Sequence, residues 1–287
     1  MQLAYAISGY KHPGQFRWLL GAIWDERDVF AVHIDARTPE PVFEAFRRIA
    51  GGRRNILFVP RRPVVWMGNG LVEAWMESVR LLLRQAPGFS HLVNLSMQDY
   101  PLRRREALLD ELARLPGKSF VSREPLAAQP AHVRRRPRLW CFEHRGRLVR
   151  TPLPRLPPRG LKLAWKGSWW HVLSRDAAAW LAADPVAQRY LAFLRHTQAP
   201  DELFVQNALM HGPFASKLAD RNRHFVLWPG GSASPCTLTM AHHDQLEDSP
   251  MWWARKLDET VDRPLLERLA RRIGAAVPDA ADSGVPA

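Results

Sequence analysis

Cysteine is scarce in this sequence and long apolar runs are missing, and these two absences limit what the protein can be. The 287 residues include two cysteines, Cys141 and Cys236, which lie far apart and form no CxxC pair. Neither a disulfide framework nor a zinc ribbon is therefore indicated, and a reducing compartment fits best. The N-terminus lacks the basic leader of a signal peptide, and no stretch is long enough to span a membrane. We expect a soluble cytoplasmic protein.

The sequence also lacks the motifs with which many enzymes bind phosphate groups and metal ions. No GxGxxG or GxxxxGK[ST] segment is present, so no glycine turn is available to hold a phosphate at a helix N-terminus. This removes the physical basis for a Rossmann dehydrogenase or a P-loop enzyme. No two aspartates stand at the DxD spacing that holds a divalent cation in many sugar transferases.

Lysine occurs at only six positions, so the net charge of +13 is carried almost wholly by arginine. Such an excess predicts attraction to polyanions, anionic lipid head groups or phosphorylated substrates, and the charge alone does not choose among them. One alternative is a basic nucleic-acid-binding protein without enzymatic activity. Its weakness is that the basic residues are scattered and that no RNP, KH or helix-turn-helix signature accompanies them.

The first hundred residues alternate between apolar runs and amphipathic stretches, which predicts repeated βαβ units. We expect strands over residues 2–8, 28–35, 55–60 and 91–96, and helices over 13–25, 39–50 and 69–85. Such apolar strands indicate a parallel sheet covered on both faces, and ligands of these sheets bind beyond the carboxyl ends of the strands. Later elements are a strand over 169–173, a helix capped by Ser174, a strand within 223–228 and a helix over 263–274.

We expect one α/β domain over residues 1–275, with regular strand and helix patterns in its parts 1–122 and 161–275. Between them, residues 123–160 are rich in proline and arginine and show little periodicity, which favours an irregular basic excursion on the surface. This segment is either a solvated loop or a substrate-facing basic edge. The tail over 276–287 is predicted to be disordered.

Two adjacent acids, Asp201 and Glu202, stand behind Pro200 at the start of an apolar helical pattern. Proline suits the entry to a helix, and Asp201 can accept backbone N–H bonds there as a cap. A cap explains one acid and not two, although the helix dipole favours both. The second acid is either a further helix-start residue or part of a reaction centre.

Seven segments occur in an order that resembles glycosyltransferase family 14, the core-2/I-branching β-1,6-N-acetylglucosaminyltransferases and peptide O-xylosyltransferases. These are "AYAISGYKHPGQFRWLLGAIW", "VHIDAR", "VVWMGNGLVEAWMESVRLLL", "LVNLSMQDYPLR", "KGSWWHVLSRD", "APDELFVQNAL" and "WARKLD". The resemblance covers roughly residues 3–260 and implies a GT-A-like fold, a Rossmann-type and mostly parallel sheet flanked by helices. It makes residues 1–122 the nucleotide-binding part and residues 161–275 the catalytic and acceptor part. It also implies an inverting transfer of GlcNAc or xylose from a UDP-sugar without a metal cofactor.

The same resemblance assigns roles to individual residues. Glu202 is the expected general base. The expected donor-binding residues are Ser8, Asp35, Trp66 and Lys256. For Trp66 the main alternative is a core position. A second basic residue of the family, which binds the diphosphate, has no match between 229 and 254, and the possible substitutes are Arg255, Arg221 and Arg223.

The acceptor side is expected to use aromatic rings, because sugars present apolar faces that pack on them. The expected acceptor-binding residues are Ser168, Trp169, Trp170, Trp228 and Asp99. One or two of these tryptophans should be core residues, and Asp99 can equally stabilise the turn before Pro101. A zinc site built from His224, Cys236, His242 and His243 is not favoured, because adjacent histidines cannot easily face one ion.

The expected partners are a UDP-sugar and a glycan or lipid-linked glycoconjugate. Family members in animals carry a membrane anchor, whereas this sequence starts directly at its first strand. We therefore expect a bacterial cytoplasmic enzyme whose basic residues aid peripheral contact with the anionic inner face of the membrane, with no nucleic-acid partner.

Overall fold

The structure is a computed structural model that describes residues 1–230 and 234–279. Ten α-helices are formed within these residues: α1 Pro13–Ile23, α2 Glu40–Ala50, α3 Gly70–Gln85, α4 Arg105–Arg114, α5 Ala131–Arg134, α6 Arg175–Ala183, α7 Pro185–Leu194, α8 Phe204–His211, α9 His243–Glu247 and α10 Arg263–Ile273. None of the helices in this part of the chain is both long and apolar enough to cross a bilayer.

The same residues form fourteen strands: β1 Leu3–Gly9, β2 Val29–Ile34, β3 Ile56–Phe58, β4 His91–Ser96, β5 Tyr100–Pro101, β6 Ser119–Val121, β7 Glu124–Pro125, β8 Leu139–His144, β9 Arg147–Pro154, β10 Trp165–Lys166, β11 His171–Ser174, β12 Leu218–Ala219, β13 His224–Val226 and β14 Trp253–Arg255. Seven of them build the central sheet in the order β12-β6-β11-β4-β1-β2-β3. β11 is antiparallel to both of its neighbours, and the other pairs are parallel. The predicted α/β class with a mostly parallel sheet is confirmed.

Both faces of the sheet are covered, as the apolar strands predict. Alternate residues of β1 enter different apolar clusters: Ala4 and Ala6 face the cluster that contains α3, whereas Tyr5 and Ile7 face the cluster that contains α1. Side chains of a strand alternate between the two faces of a sheet, so one buried strand contributes to both cores. The small alanines leave room for bulky side chains of α3 such as Trp75.

The predicted elements of the first hundred residues all form, with ends displaced by up to two residues. Ser174 caps α6 as expected, because its Oγ accepts a hydrogen bond from the amide of Ala177 at 3.3 Å. The terminal helix and the strand at 224–226 are also present. Residues 276–279 form neither helix nor strand, and the rest of the predicted tail lies outside the described residues.

Part of the segment 123–160, which was predicted to be irregular, is regular, because β8 and β9 pair as an antiparallel hairpin. Arg145 and Gly146 join the two strands with φ angles of 48° and 73°. Two consecutive residues with positive φ are typical of the tight turns that match the twist of a hairpin. The "HRGR" segment carried this turn signal, which the surrounding prolines and arginines obscured.

Candidate active site

Three of the predicted site residues lie at or just beyond the carboxyl ends of strands: Ser8 at the end of β1, Asp35 after β2 and Asp99 after β4. Ser8 lies beside His33 of β2 and Ser96 of β4 in the sheet register. The loops that follow are joined, since the amide of Asp35 donates to Gly9 O at 3.0 Å and that of Leu257 donates to Gln98 O at 2.9 Å. The second contact brings the segment of Lys256 to the same edge. The predicted location of Ser8 and Asp35 at the carboxyl edge of the sheet is therefore confirmed.

Asp35 is buried and closely bound by its own loop. Arg37 donates from Nη2 to Oδ2 at 2.7 Å and from its backbone amide to Oδ1 at 2.8 Å. Burial raises the pKa of this carboxyl, but the hydrogen bonds from Arg37 outweigh that effect and leave the pKa below its ordinary value. The amide of Val64 also donates to Oδ2 at 3.3 Å, which ties Asp35 to the loop that carries Trp66.

Trp66 is not a core residue, because 70% of its surface is exposed. It stands in the turn before α3, next to Met67, whose φ of 62° marks a tight reversal of the chain. An exposed indole is suited to stacking on a planar or apolar ligand face. The core alternative for Trp66 is therefore wrong.

Lys256 has a basic neighbour that the sequence did not indicate. Burial lowers the pKa of its ammonium, and the positive charges of Arg255 and Lys11 lower it further. Lys11 is exposed in the loop after β1, and Lys256 Nζ donates to Ser234 Oγ at 2.6 Å. The ammonium group of Lys11 therefore lies near enough to that of Lys256 to act on its charge.

Two of the three suggested substitutes for the missing basic residue are already engaged. Arg255 is buried against Asp99, and Arg223 pairs with Glu111 at 2.7 Å. The third, Arg221, is exposed.

Asp99 belongs to a buried polar cluster and does not face a ligand. Its side chain has no exposed surface, and Oδ2 accepts hydrogen bonds from the amide and the hydroxyl of Ser96 at 2.5 and 2.7 Å. Arg255 Nε lies 3.6 Å from Oδ1, and the guanidinium stacks 3.8 Å from the ring centre of Trp170. The turn role foreseen for Asp99 is thus correct, and direct contact with an acceptor is wrong.

Glu202 lies in a short 3-10 turn, Pro200–Glu202, with its side chain 28% exposed. Arg136 donates to its Oε2 at 2.7 Å, and Lys166 Nζ lies 3.7 Å from the same oxygen. Among the described residues Oε1 has no hydrogen-bond partner. The carboxylate is therefore held in one orientation by two cations and presents a free oxygen.

Backbone contacts fix the turn of Glu202 between two neighbouring segments. The amide of Gly167 donates to Glu202 O at 2.9 Å, and the amide of Ala199 donates to Met67 O at 2.7 Å. A side chain at position 167 would not fit, because its Cβ would lie 1.9 Å from the carbonyl oxygen of Ser122. Gly167 and its neighbour Ser168 therefore shape the site through the backbone.

Asp201 does not cap a helix, which corrects the expectation from the sequence. Ala199 and Leu203 occupy the N-cap positions of the 3-10 turn and of α8, and neither helix has a side-chain cap. Asp201 Oδ1 is buried without a hydrogen-bond partner in the described structure. Burial, and then the negative charge of Glu202, raise the pKa of Asp201 to about 7.

We expect Asp201→Asn to change how stability depends on pH. Because the pKa of Asp201 is about 7 in the folded protein and ordinarily 3.8, the folded state holds its proton over a range where the unfolded chain has lost it. The free energy of unfolding should therefore fall as pH rises from about 4 to about 7. Relative to the variant, the wild type should lose roughly 1–3 kcal/mol across that range.

The measurement is urea unfolding of both proteins at several pH values. Asp248→Asn, which removes an exposed carboxylate, is the matched control for the loss of one charge. If the free energy of unfolding changes with pH in the same way in the wild type and in Asp201→Asn, the pKa of Asp201 is not raised in the folded protein.

The predicted acceptor residues divide into core and surface positions. Trp169 is 5% exposed and packs edge-on against Trp75, so its predicted contact with an acceptor is wrong. Trp170 is half-buried over Arg255, and Trp228 is 59% exposed. Trp228 is thus the aromatic residue of this set that a sugar can reach.

Three basic residues near the site, Arg136, Lys166 and Lys11, were not predicted. Arg136 belongs to the "RRRPR" run, for which a solvated loop and a substrate-facing edge were both open, and its contact with Glu202 favours the second. Lys166 directly precedes Gly167 in the segment "KGSWWHVLSRD", so the sequence contained a signal for its position beside the site. Lys11 carried no local signal.

Among residues 1–230 and 234–279, one cluster has the spacing of metal ligands: His243, Asp244 and Glu247. Both acids are exposed, and His243 faces each of them at 3.2 and 3.3 Å. Contacts between neighbouring side chains of a short surface helix account for this arrangement. The cluster that the sequence argued against, with His224 and Cys236, is not among these ligand groups.

A family model described as Core-2/I-Branching enzyme matches residues 3–249 of the chain. The chain is similar to xylosyltransferase 2 of Mus musculus, with 27% identity over 280 residues that cover 89% of this chain and 31% of the relative. It is also similar to beta-1,3-galactosyl-O-glycosyl-glycoprotein beta-1,6-N-acetylglucosaminyltransferase 3 of Bos taurus. That identity is 24% over 201 residues, covering 70% of this chain and 45% of the relative. The chain thus spans less than half the length of these relatives.

Two solved structures are similar to this chain in part of their backbone. S. aureus TarS 1–349 gives a TM-score of 0.42 at 11% identity, covering 99% of this chain and 68% of that one. Mouse xyloside xylosyltransferase 1 in its apo form gives a TM-score of 0.41 at 12% identity, covering 88% of this chain and 97% of that one.

Proposed function

Because the chain belongs to the Core-2/I-Branching enzyme family, we propose that it is an inverting glycosyltransferase that acts without a metal cofactor. It transfers a sugar, GlcNAc or xylose, from UDP to a hydroxyl group of a glycan or glycoconjugate. The names of its relatives support both donor sugars. The mostly parallel sheet between helices is the GT-A-like architecture that the sequence resemblance implies.

One observation carries the proposal: the segments that carry Asp35, Trp66 and Glu202 are joined to one another by hydrogen bonds. Asp35 bonds to the amide of Val64, and the carbonyl of Met67 bonds to the amide of Ala199. A bound carboxylate, an exposed indole and an accessible carboxylate therefore follow one another from the sheet edge to the 3-10 turn. This order matches a nucleoside, its sugar and the attacking hydroxyl of an acceptor.

In this proposal Glu202 is the general base. Inversion requires a base to take the proton of the acceptor hydroxyl as that oxygen attacks the anomeric carbon. The cations Arg136 and Lys166 hold Oε2, which leaves Oε1 to receive the proton. Trp228, exposed to 59%, supplies an aromatic platform for the acceptor sugar.

On the donor side, Asp35 and Trp66 bind the nucleoside, with Ser8 beside them. Lys256 and Lys11 stabilise the negative charge that develops on the departing diphosphate. Lys11 takes the place of the second basic residue for which the sequence offered no match. Because two ammonium groups supply this charge and the sequence has no DxD pair, the reaction needs no divalent cation.

The test is donor turnover in the presence of EDTA. We expect hydrolysis or transfer from UDP-GlcNAc or UDP-xylose, and binding of UDP in calorimetry, to persist after chelation. Activity that disappears with EDTA and returns with Mn²⁺ would contradict the metal-independent mechanism. Oligonucleotide binding at moderate salt without any binding of UDP would instead support the nucleic-acid alternative.

In the same titrations, Lys256→Ala should weaken binding of UDP by roughly tenfold while changing the affinity for uridine little, because the ammonium acts on phosphate charge. Lys11→Ala should behave in the same way. Lys162→Ala, which removes an exposed lysine elsewhere, is the control. Equal losses of affinity for UDP and uridine would place Lys256 outside the diphosphate site.

A further inference from the structure

Large apolar side chains are exposed in unusual number around the β8–β9 hairpin. Thirteen large hydrophobic residues are exposed in the described part of the chain, and four of them fall within residues 140–156. They are Trp140, Phe142, Leu153 and Leu156, with exposed fractions of 39%, 43%, 59% and 83%. Scattered apolar residues on a surface need no explanation, but a cluster marks an interaction site.

Arginines are exposed among these apolar side chains. They are Arg138, Arg145, Arg147, Arg150 and Arg159. Glu143 is the one acid between 138 and 159, and its Oε1 accepts hydrogen bonds from the amides of Asn69 and Gly70 at the start of α3. We call Phe142, Leu153 and Leu156, together with Arg138, Arg145, Arg147 and Arg159, the hairpin surface. Arg150 does not belong to it, because Arg150 lies opposite the inward-facing Cys141 in the strand register. Its charge is strongly positive and largely uncompensated.

The hairpin that carries this surface is attached to the body of the protein on its inner face and at its base. Cys141 is buried, and its amide donates to His196 O at 3.0 Å, which attaches the inner face of β8 to the body. Because side chains alternate along a strand, Phe142 projects from the face opposite Cys141. Trp140 instead packs against His196 of the body, with ring centres 5.2 Å apart. At the base of β9, Arg155 is buried between Trp140 and Phe193, with ring centres 4.7 and 3.9 Å from its guanidinium.

We infer that the hairpin surface binds peripherally to an anionic phospholipid bilayer. Arginine guanidinium groups pair with lipid phosphates, and leucine and aromatic side chains enter the boundary between head groups and acyl chains. A soluble polyanion such as a nucleic acid offers phosphates but no apolar phase, so it leaves Leu153 and Leu156 in water. The combination of exposed leucines with arginines therefore favours binding to a membrane over binding to a soluble polyanion.

The experiment is co-sedimentation with vesicles of phosphatidylcholine, with and without phosphatidylglycerol, using the whole chain without donor or acceptor. We expect binding to the anionic vesicles. Leu153→Ser/Leu156→Ser should weaken it by about tenfold or more, because each leucine loses its transfer into an apolar phase. Arg145→Gln/Arg147→Gln should weaken it by a similar factor, since each basic residue near the surface contributes about fivefold.

Two matched variants separate the hairpin surface from the net charge of the protein. Val186→Ser/Val261→Ser removes exposed aliphatic side chains elsewhere, and Arg48→Gln/Arg84→Gln removes two exposed charges elsewhere. Both should bind vesicles nearly as the wild type does. The inference is overturned if the leucine variant binds as tightly as the wild type, or if the two arginine variants lose affinity equally. Turnover of a soluble donor should be unchanged in the leucine variant, so this result is independent of the proposed function.

Discussion

Glu202→Gln is expected to lower the rate of sugar transfer by roughly two to four orders of magnitude while leaving the affinity for the donor nearly intact. Glutamine keeps the size of the side chain and an oxygen that can accept the hydrogen bond from Arg136. It cannot take a proton from the acceptor hydroxyl. The loss should therefore appear in kcat and not in binding of UDP.

The measurement pairs initial transfer rates at saturating donor with melting temperatures for Glu202→Gln and Asp201→Asn. Asp201→Asn is the control, because it removes the adjacent carboxyl and should keep most of the activity. If Asp201 were the helix cap that the sequence suggested, this control would lose about 1 kcal/mol of stability. Since Asp201 caps neither helix, we now expect no loss above pH 7.

A Glu202→Gln enzyme that works at near wild-type rates would show that Glu202 is not the base. Asp99, the other carboxylate that the sequence suggested, would not replace it as a candidate. Its side chain is fully buried and bound to Ser96 and Arg255. The proton of the acceptor hydroxyl would then have to pass to a carboxyl group of the acceptor or to a water molecule.

Asp99→Asn is expected to cause the largest loss of stability among these variants, about 3 kcal/mol or more. Asparagine can still accept hydrogen bonds from Ser96, but it removes the charge that compensates the buried guanidinium of Arg255. Burial already lowers the pKa of Arg255, and Asp99 opposes that effect. A chain of this size should melt about 6–12 °C lower as a result.

Removing the second charge as well should restore part of this stability. Arg255→Met leaves an unbranched apolar side chain that can remain packed on the ring of Trp170. We expect Asp99→Asn/Arg255→Met to be more stable than Asp99→Asn alone, as measured by urea unfolding. If Asp99→Asn unfolds at the wild-type urea concentration, the pair contributes nothing and Arg255 is solvated in some other way.

The parts of the structure that could be predicted are those with a local cause. The apolar runs of β1 and β2 and the cap at Ser174 depend on residues within a few positions, so their pattern is visible in the sequence. The edge location of Ser8 and Asp35 followed from the general rule for parallel sheets. These predictions needed no knowledge of contacts between distant residues.

The parts that could not be predicted depend on contacts across the chain. Arg136 and Glu202 are 66 positions apart, and nothing in either neighbourhood indicates the other. Trp66 is exposed and Trp169 is buried, although both stand in apolar motifs, because tertiary packing decides which ring meets solvent. Asp201 failed as a cap for the same reason, since the 3-10 turn rotates its carboxyl into the protein.

The start of α3 depends on a residue that is synthesised much later. Asn69 gives this helix no side-chain cap, and the amides of Asn69 and Gly70 bond instead to Glu143, which lies 74 and 73 positions further along the chain. In a chain that leaves the ribosome from its N-terminus, water must satisfy these two amides until Glu143 has been synthesised. The loop that carries Trp66 therefore gains this support from β8 only after the first four strands of the sheet are already present in the chain.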